Sequence, residues 1–410
     1  MQNIIINEGY NFKNNFFDGG SGSKIFLKGK KLLDLSFCAG SLLLGHNSKI
    51  FKKSLNEIIK KNISPLASPN FQAKNFANLL KKIVKHKDKF IFCNSGTEAV
   101  TKALRISHAI SNKKMIIATT GSWHGSVDSL LFSPDKKLNP MAISEGILKT
   151  YKNNLKFIPY NNIQKSKKII LKNKSKISCV IVEPIQASLP IKKAENYLKF
   201  LRKITKKNKI ILIFDEMITG LRTDGSTLQN YLKIKPDIST FGKCFGGGLP
   251  IGIIGVTKQT SGKLNKKKRK VFFGGTFSAN SLSTYVGMQT TNFIIKNKIK
   301  IFSRLEKHSN FFEKKMNIFF EMNSIDAKVF RFKSLIRIVD MSQSFSEESP
   351  RDFFLSKKSN KIEKMRRFLQ KKNINMPING LIYFSDQTSL QDINYLIKNL
   401  KLAFKYNYKI

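Results

Sequence analysis

Lys243 stands in Thr240-Phe241-Gly242-Lys243-Cys244-Phe245-Gly246-Gly247-Gly248, between a short apolar segment and a glycine-rich turn. An amine with such neighbours is poorly hydrated, and burial disfavours its charged form. A lysine in that state attacks aldehydes near neutral pH. The glycines let the backbone come close to a bulky ligand. The same letters also suit a plain turn with an incidental lysine. Asp215 and Glu216 follow Lys209-Ile210-Ile211-Leu212-Ile213-Phe214, an apolar run that predicts a fully buried strand. In open α/β sheets ligands bind beyond the carboxyl ends of strands, so a carboxylate there faces a site. It also suits a turn or a helix cap.

Two further segments offer binding groups. Phe90-Ile91-Phe92-Cys93 reads as a strand and runs through Asn94 into Ser95-Gly96-Thr97, ahead of a helical pattern over residues 98–110. Amides and hydroxyls at a helix N-terminus form an anion site suited to phosphate, or simply an ordinary cap. Met115-Ile116-Ile117-Ala118-Thr119 reads as another strand, ending at Gly121-Ser122-Trp123-His124-Gly125. The only tryptophan thus sits in a glycine-flanked turn, where its ring can stack on a flat ligand or cover a core edge.

The elements that must carry these residues fall into three expected parts. Residues 1–50 form an arm with a hairpin over 24–35. Residues 51–295 alternate helical patterns with short apolar strands, which predicts an α/β large domain on a mostly parallel sheet. Residues 296–410 predict a small α+β domain: a helix over 301–322, strands over 327–332, 334–339 and 381–384, and helices over 363–371 and 390–402.

Together the motifs resemble the class III pyridoxal-phosphate aminotransferases of fold type I, within them the glutamate-1-semialdehyde 2,1-aminomutase branch. The resemblance rests on Asn94-Ser95-Gly96-Thr97-Glu98-Ala99, Trp123-His124-Gly125, Val182-Glu183-Pro184, Phe214-Asp215-Glu216-Met217-Ile218-Thr219-Gly220-Leu221-Arg222, the stretch from Pro236 to Pro250, and Gly275-Thr276-Phe277-Ser278-Ala279-Asn280. They stand in family order, with Asp215 and Lys243 separated by 243 − 215 = 28 positions. The resemblance implies that Lys243 forms the Schiff base with the cofactor and shuttles a proton. Asp215 pairs with the pyridine nitrogen, Ser95, Gly96 and Thr97 hold the phosphate, and Trp123 and His124 line the ring. Thr276 reaches the phosphate of a neighbouring subunit, so a homodimer is expected, with its site between domains. Roles for Glu183 and Glu216 stay open.

Departures from the family bear on the substrate, an amino or carbonyl small molecule. No Arg precedes Arg105, so the arm lacks the carboxylate clamp of the aminomutases, and a Lys is a poorer substitute. Pro377-Ile378-Asn379-Gly380 lacks the acid those enzymes carry in the small domain. Ile218 follows the aminomutase branch, where general class III enzymes often have Gln. An aminotransferase acting between a donor and a carbonyl acceptor is the expectation, with the aminomutase as alternative. A silent cofactor-fold protein is disfavoured by the presence of Lys243, Asp215 and the phosphate segment.

The formal charge of +48 invites a nucleic-acid reading. Lysine far outnumbers arginine, however, and is spread along the chain beside abundant Ile, Asn and Phe, as AT-rich codons dictate. No specific nucleic-acid or membrane partner is expected, only loose polyanion binding at low salt. Lys266-Lys267-Lys268-Arg269-Lys270 reads as a surface loop. Four cysteines without CxxC spacing read as reduced core residues of a cytoplasmic protein, and five histidines show no metal-ligand spacing. His46 reads as a turn residue near the site. Residues 1–8 lack the pattern of a signal peptide.

Overall fold

A computed structural model of the chain describes residues 16–66, 69–191, 194–341, 360–377 and 380–408. The readings for residues 1–8, Ile378 and Asn379 lie outside that set. The described residues fall into two compact units. One holds the chain up to Lys49 and from Lys300 onward, and the other is Ile50–Ile299.

The smaller unit opens with β1 (Gly19–Ser21), β2 (Lys24–Leu27) and β3 (Lys30–Asp34). β2 and β3 pair antiparallel, which is the hairpin read from the sequence. Asp34 then organises the next turn. Its carboxylate accepts from Ser36 N at 2.9 Å, Phe37 N at 2.9 Å and Asn375 Nδ2 at 2.8 Å, and meets His46 Nε2 at 2.8 Å. That anchor holds Phe37, Cys38 and Ala39 left-handed, at φ of 43°, 53° and 53°. Such a conformation costs about 1–2 kcal/mol per non-glycine residue. Cys38 is exposed on this turn, which corrects the expectation that all four cysteines lie in the core. Cys93, Cys179 and Cys244 are buried, and none of the four is in a disulfide.

The larger unit is built on seven strands: β4 (Lys89–Cys93), β5 (Met115–Thr119), β8 (Leu155–Ile158), β9 (Ile177–Val182), β10 (Ile211–Asp215), β11 (Ile238–Gly242) and β12 (Gly252–Val256). A separate short pair, β6 (Phe132–Pro134) and β7 (Pro140–Ala142), lies between β5 and β8 in the chain. The sheet order is β4-β12-β11-β10-β9-β5-β8, and every strand but β12 runs the same way. β5, β9, β10, β11 and β12 are buried at every position, as near-continuous apolar runs require. β10 starts at Ile211 because Lys209 turns left-handed, at φ 55°.

Helix Gly96–Ser111 shows how the sheet is covered. Ser95 caps it by accepting from Glu98 N, and left-handed Asn112 ends it. Between these stops Ala99, Val100, Ala103, Leu104 and Ile106 recur at helical spacing and join the core cluster over the sheet. Each large aliphatic side chain fully buried there contributes about 1.5–3 kcal/mol.

The remainder of the smaller unit matches the expected α+β pattern. Helices Lys298–Met322, Asn360–Lys371 and Leu390–Tyr408 accompany an antiparallel sheet of β13 (Ala327–Phe332), β14 (Leu335–Asp340) and β16 (Leu381–Tyr383). β15 (Ile374–Asn375) instead pairs parallel with β3. That ladder ties the arm to the C-terminal segments, so the two form one unit. The basic stretch 266–270 is an exposed loop, as read.

Candidate active site

Because β4, β5, β9, β10 and β11 run one way, the segments that follow them gather along a single edge of the sheet. These carry Ser95, Trp123, Glu183, Asp215 and Lys243. Cross-strand register tightens the arrangement: Gly252 at the start of antiparallel β12 lies opposite both Gly242 and Cys93. A Cβ on Gly252 would fall 2.0 Å from the Ser95 carbonyl oxygen, so glycine is obligatory there. Within the glycine triplet near Lys243, Gly247 has a packing task of its own. Gly247, at φ 61°, makes the turn and lets helix Ser281–Lys296 come close, since a Cβ would meet Thr290 Oγ1 at 2.2 Å.

Asp215 is buried at the tip of β10 and is fully oriented. Oδ1 accepts from Thr240 Oγ1 at 2.9 Å and from Met217 N at 3.2 Å. Oδ2 accepts from His124 Nδ1 at 2.8 Å. His124 meets that carboxylate through Nδ1, and its buried Nε2 has no partner among the described residues. Oδ2, with one bond, keeps room for another donor. Thr240 was missed in the sequence. It lies beside Asp215 only through the β10–β11 register.

Lys243 opens a single helical turn at φ 47°, a strained conformation for a residue with a Cβ. Its residue surface is half-buried, and its amine makes no hydrogen bond among the described residues. Burial pushes its pKa below the ordinary lysine value, against the pull of the Glu183 and Asp215 carboxylates. Phe241 and Phe245 pack edge to face beside it, ring centroids 5.5 Å apart.

Ser95 and Thr97 both keep hydroxyl protons free. Ser95 Oγ accepts from Glu98 N at 3.1 Å, and Thr97 Oγ1 accepts from Ser126 N at 3.1 Å. The second bond joins the helix N-terminus to the turn that carries Trp123, whose residue is 44% exposed and therefore available for stacking. Thr276 is exposed on its loop in the single chain. His46, by contrast, belongs to the smaller unit and serves Asp34.

This set fits pyridoxal phosphate: an amine for an aldehyde, an oriented anion with spare acceptor capacity, and free donors at a helix N-terminus. The family model for class-III aminotransferases matches residues 10–353. The chain belongs to that family. It is a pyridoxal-phosphate enzyme of fold type I that acts on amino groups. It is 32% identical over 320 residues to glutamate-1-semialdehyde 2,1-aminomutase of Thermodesulfovibrio yellowstonii, covering 77% of this chain and 74% of that one. The counterpart from Nitrosopumilus maritimus is 32% identical over 383 residues, covering 92% of this chain and 88% of that one. A solved omega-transaminase from Sphaerobacter thermophilus has the same fold, with a TM-score of 0.86 at 23% identity over 96% of this chain and 91% of that one. No group of metal-binding side chains and no helix long and apolar enough to cross a membrane occurs among the described residues.

Proposed function

We propose that Lys243 is the catalytic amine of an aminotransferase that works between an amino donor and a carbonyl acceptor. The observation that carries this is a strained, unbonded lysine, with its pKa lowered by burial, in the field of two buried carboxylates. Pyridoxal phosphate, when bound, would offer an aldehyde to the Lys243 amine and a ring that draws electrons from the substrate carbon. Lys243 would take the proton from the amino-bearing carbon and return it to the carbon across the nitrogen, a general base that becomes a general acid. Its lowered pKa favours the neutral amine that can accept that proton.

Three donors orient the Asp215 carboxylate, and its open lone pair on Oδ2 would hold a proton on the ring nitrogen. His124 fixes that carboxylate from behind. Ser95, Gly96 and Thr97 bind the phosphate with free hydroxyls and the first amides of helix Gly96–Ser111. Trp123 covers a face of the ring and keeps water from it. Thr276, exposed in one chain, serves the phosphate of a second copy, which makes the active unit a homodimer. We infer a cytoplasmic setting, supported by thiols that form no disulfide.

The relatives' names favour a second reading, glutamate-1-semialdehyde 2,1-aminomutase. Against it stands the absence of any arginine before Arg105 for a substrate carboxylate. Purified holoenzyme separates the two. Turnover that needs both a donor and an acceptor supports the aminotransferase. Conversion of glutamate-1-semialdehyde to 5-aminolevulinate with no added donor makes the protein the aminomutase.

A further inference from the structure

Glu183 follows β9 directly and is only 5% exposed. Its Oε1 accepts from Trp123 N at 2.6 Å and its Oε2 from Ala187 N at 3.3 Å. Burial raises the pKa of Glu183, and the two amides, one on each oxygen, pull the other way by favouring the carboxylate. The residues after it grip the same turn. Gln186 Nε2 donates to Thr120 O at 2.6 Å and to Ser122 Oγ at 3.1 Å, and Ser188 Oγ donates to Gly121 O at 2.7 Å. Glu183 is the charged member of this grip, and its bond reaches the amide of the tryptophan itself.

The charge has a second audience. Register sets Glu183 in the row of strand ends that holds Asp215 and Lys243, since Val182 pairs with Phe214 and Asp215 with Thr240. Burial disfavours the Lys243 ammonium; Glu183, then Asp215 and Cys244, favour it, and Arg222 opposes it. Glu183 in turn faces His124, which favours its ionised form, and Asp215, which joins burial in raising its pKa.

We propose that Glu183 is a positioning residue of the active site, fixing the Trp123 turn through its amide and supplying counter-charge to Lys243. The second task rests on the role proposed above for Lys243; the first does not. The two tasks separate in two variants of the full chain. Glu183→Gln keeps the length and an acceptor for Trp123 N but loses the charge. Glu183→Asp keeps the charge but withdraws the oxygens from the amide.

Trp123 is the only tryptophan, so its fluorescence reports this turn alone. In the apoprotein, acrylamide quenching rises about twofold in Glu183→Asp as the turn loosens, and stays near wild type in Glu183→Gln. In protein loaded with pyridoxal phosphate, the pH midpoint of the visible absorption band falls by about one unit in Glu183→Gln and stays near wild type in Glu183→Asp, because removing an anion disfavours a protonated neighbour. A role confined to packing leaves that midpoint in place. Wild-type values for both variants in both measurements overturn the proposal, as does the reverse pattern. Should Glu183→Gln fail to fold, Glu183→Asp decides alone: a shifted midpoint with unchanged quenching defeats the idea. A wild-type protein that shows no visible band with pyridoxal phosphate refutes the function of Lys243 instead, and the quenching of apoprotein still decides whether Glu183 holds the turn.

Discussion

Lys87 and Lys243 both have amines sunk within the larger unit, and burial depresses the pKa of each, for Lys87 to about 7. Their surroundings differ in what is left unspent. Lys87 donates to Pro236 O at 2.7 Å, beside Asp237 and Glu216. Asp237 accepts from Arg202 at 2.9 Å and from Leu212 N at 2.8 Å. Glu216 accepts from Leu228 N at 2.5 Å, Gln229 N at 2.9 Å and Thr219 Oγ1 at 3.0 Å. Lys87 and both carboxylates are bonded within the protein, although His86 Nε2, Arg202 Nε and Gln229 Nε2 lack partners among the described residues. Around Lys243 the amine has no hydrogen bond, His124 Nε2 has no partner, and the backbone is held left-handed. A buried charge with a shifted pKa marks either cluster; an unbonded amine on a strained backbone distinguishes the one proposed to react.

The sharpest way to break this contrast is to remove each amine. Lys243→Ala is expected to lower kcat by about four orders of magnitude, since it deletes both covalent hold and proton transfer. Borohydride reduction followed by mass spectrometry then finds no cofactor fixed to the chain. Lys87→Met is expected to leave kcat within about threefold of wild type, because that amine touches nothing that reacts. A Lys87 variant that loses turnover as Lys243→Ala does would erase the distinction. The next effect in size is Asp215→Asn. It keeps an acceptor for Thr240 but loses the charge, so kcat should fall about a hundredfold while the cofactor stays attached to Lys243. Single-turnover kinetics check this, and an unchanged rate of proton removal contradicts the role.

The cluster around Lys243 was more legible in the sequence than the one around Lys87, for a physical reason. Lys243, Asp215, Ser95-Gly96-Thr97 and Trp123 lie at the end of an apolar strand or within four residues of it, so local pattern alone puts them at a strand end. The partners that orient them come from elsewhere. Thr240 meets Asp215 through strand register, and His124 Nδ1 reaches Asp215 from a turn 91 residues earlier. Gly247 answers to Thr290 on a later helix, which no local pattern reveals. The exposure of Cys38 depends on a turn anchored by Asp34, one of whose donors is Asn375. The α/β and α+β halves were readable from their alternation of patterns. The union of arm and C-terminal segments was not, because it rests on the short β3–β15 ladder.

Glu216 tests the Lys87 cluster from its acidic side. Glu216→Ala leaves the amides of Leu228 and Gln229 buried without an acceptor and is expected to destabilise the fold by about 3 kcal/mol. Urea unfolding measures it, and a loss below about 1 kcal/mol would show that water reaches those amides.

The smallest expected effect is a pH dependence peculiar to this cluster. Glu216 is pushed up to about 7 in the folded chain from an ordinary 4.5, so the folded state holds the extra proton between those values. Its contribution therefore falls as pH rises through that window. Lys87 is lowered to about 7 from 10.5, so the unfolded state holds the extra proton above 7, and stability from this group rises from there toward 10.5. The two limbs meet near neutrality. Lys87→Met removes the upper limb only. Its stability relative to wild type should be most favourable below about pH 7 and should decline as pH rises, read as Tm against pH. Parallel curves for variant and wild type across pH 7 to 10.5 would mean that Lys87 keeps its proton in the folded protein, held by Asp237 and Glu216 against burial. The cluster would then be a buried ion pair, and its contrast with Lys243 would rest on bonding and strain alone.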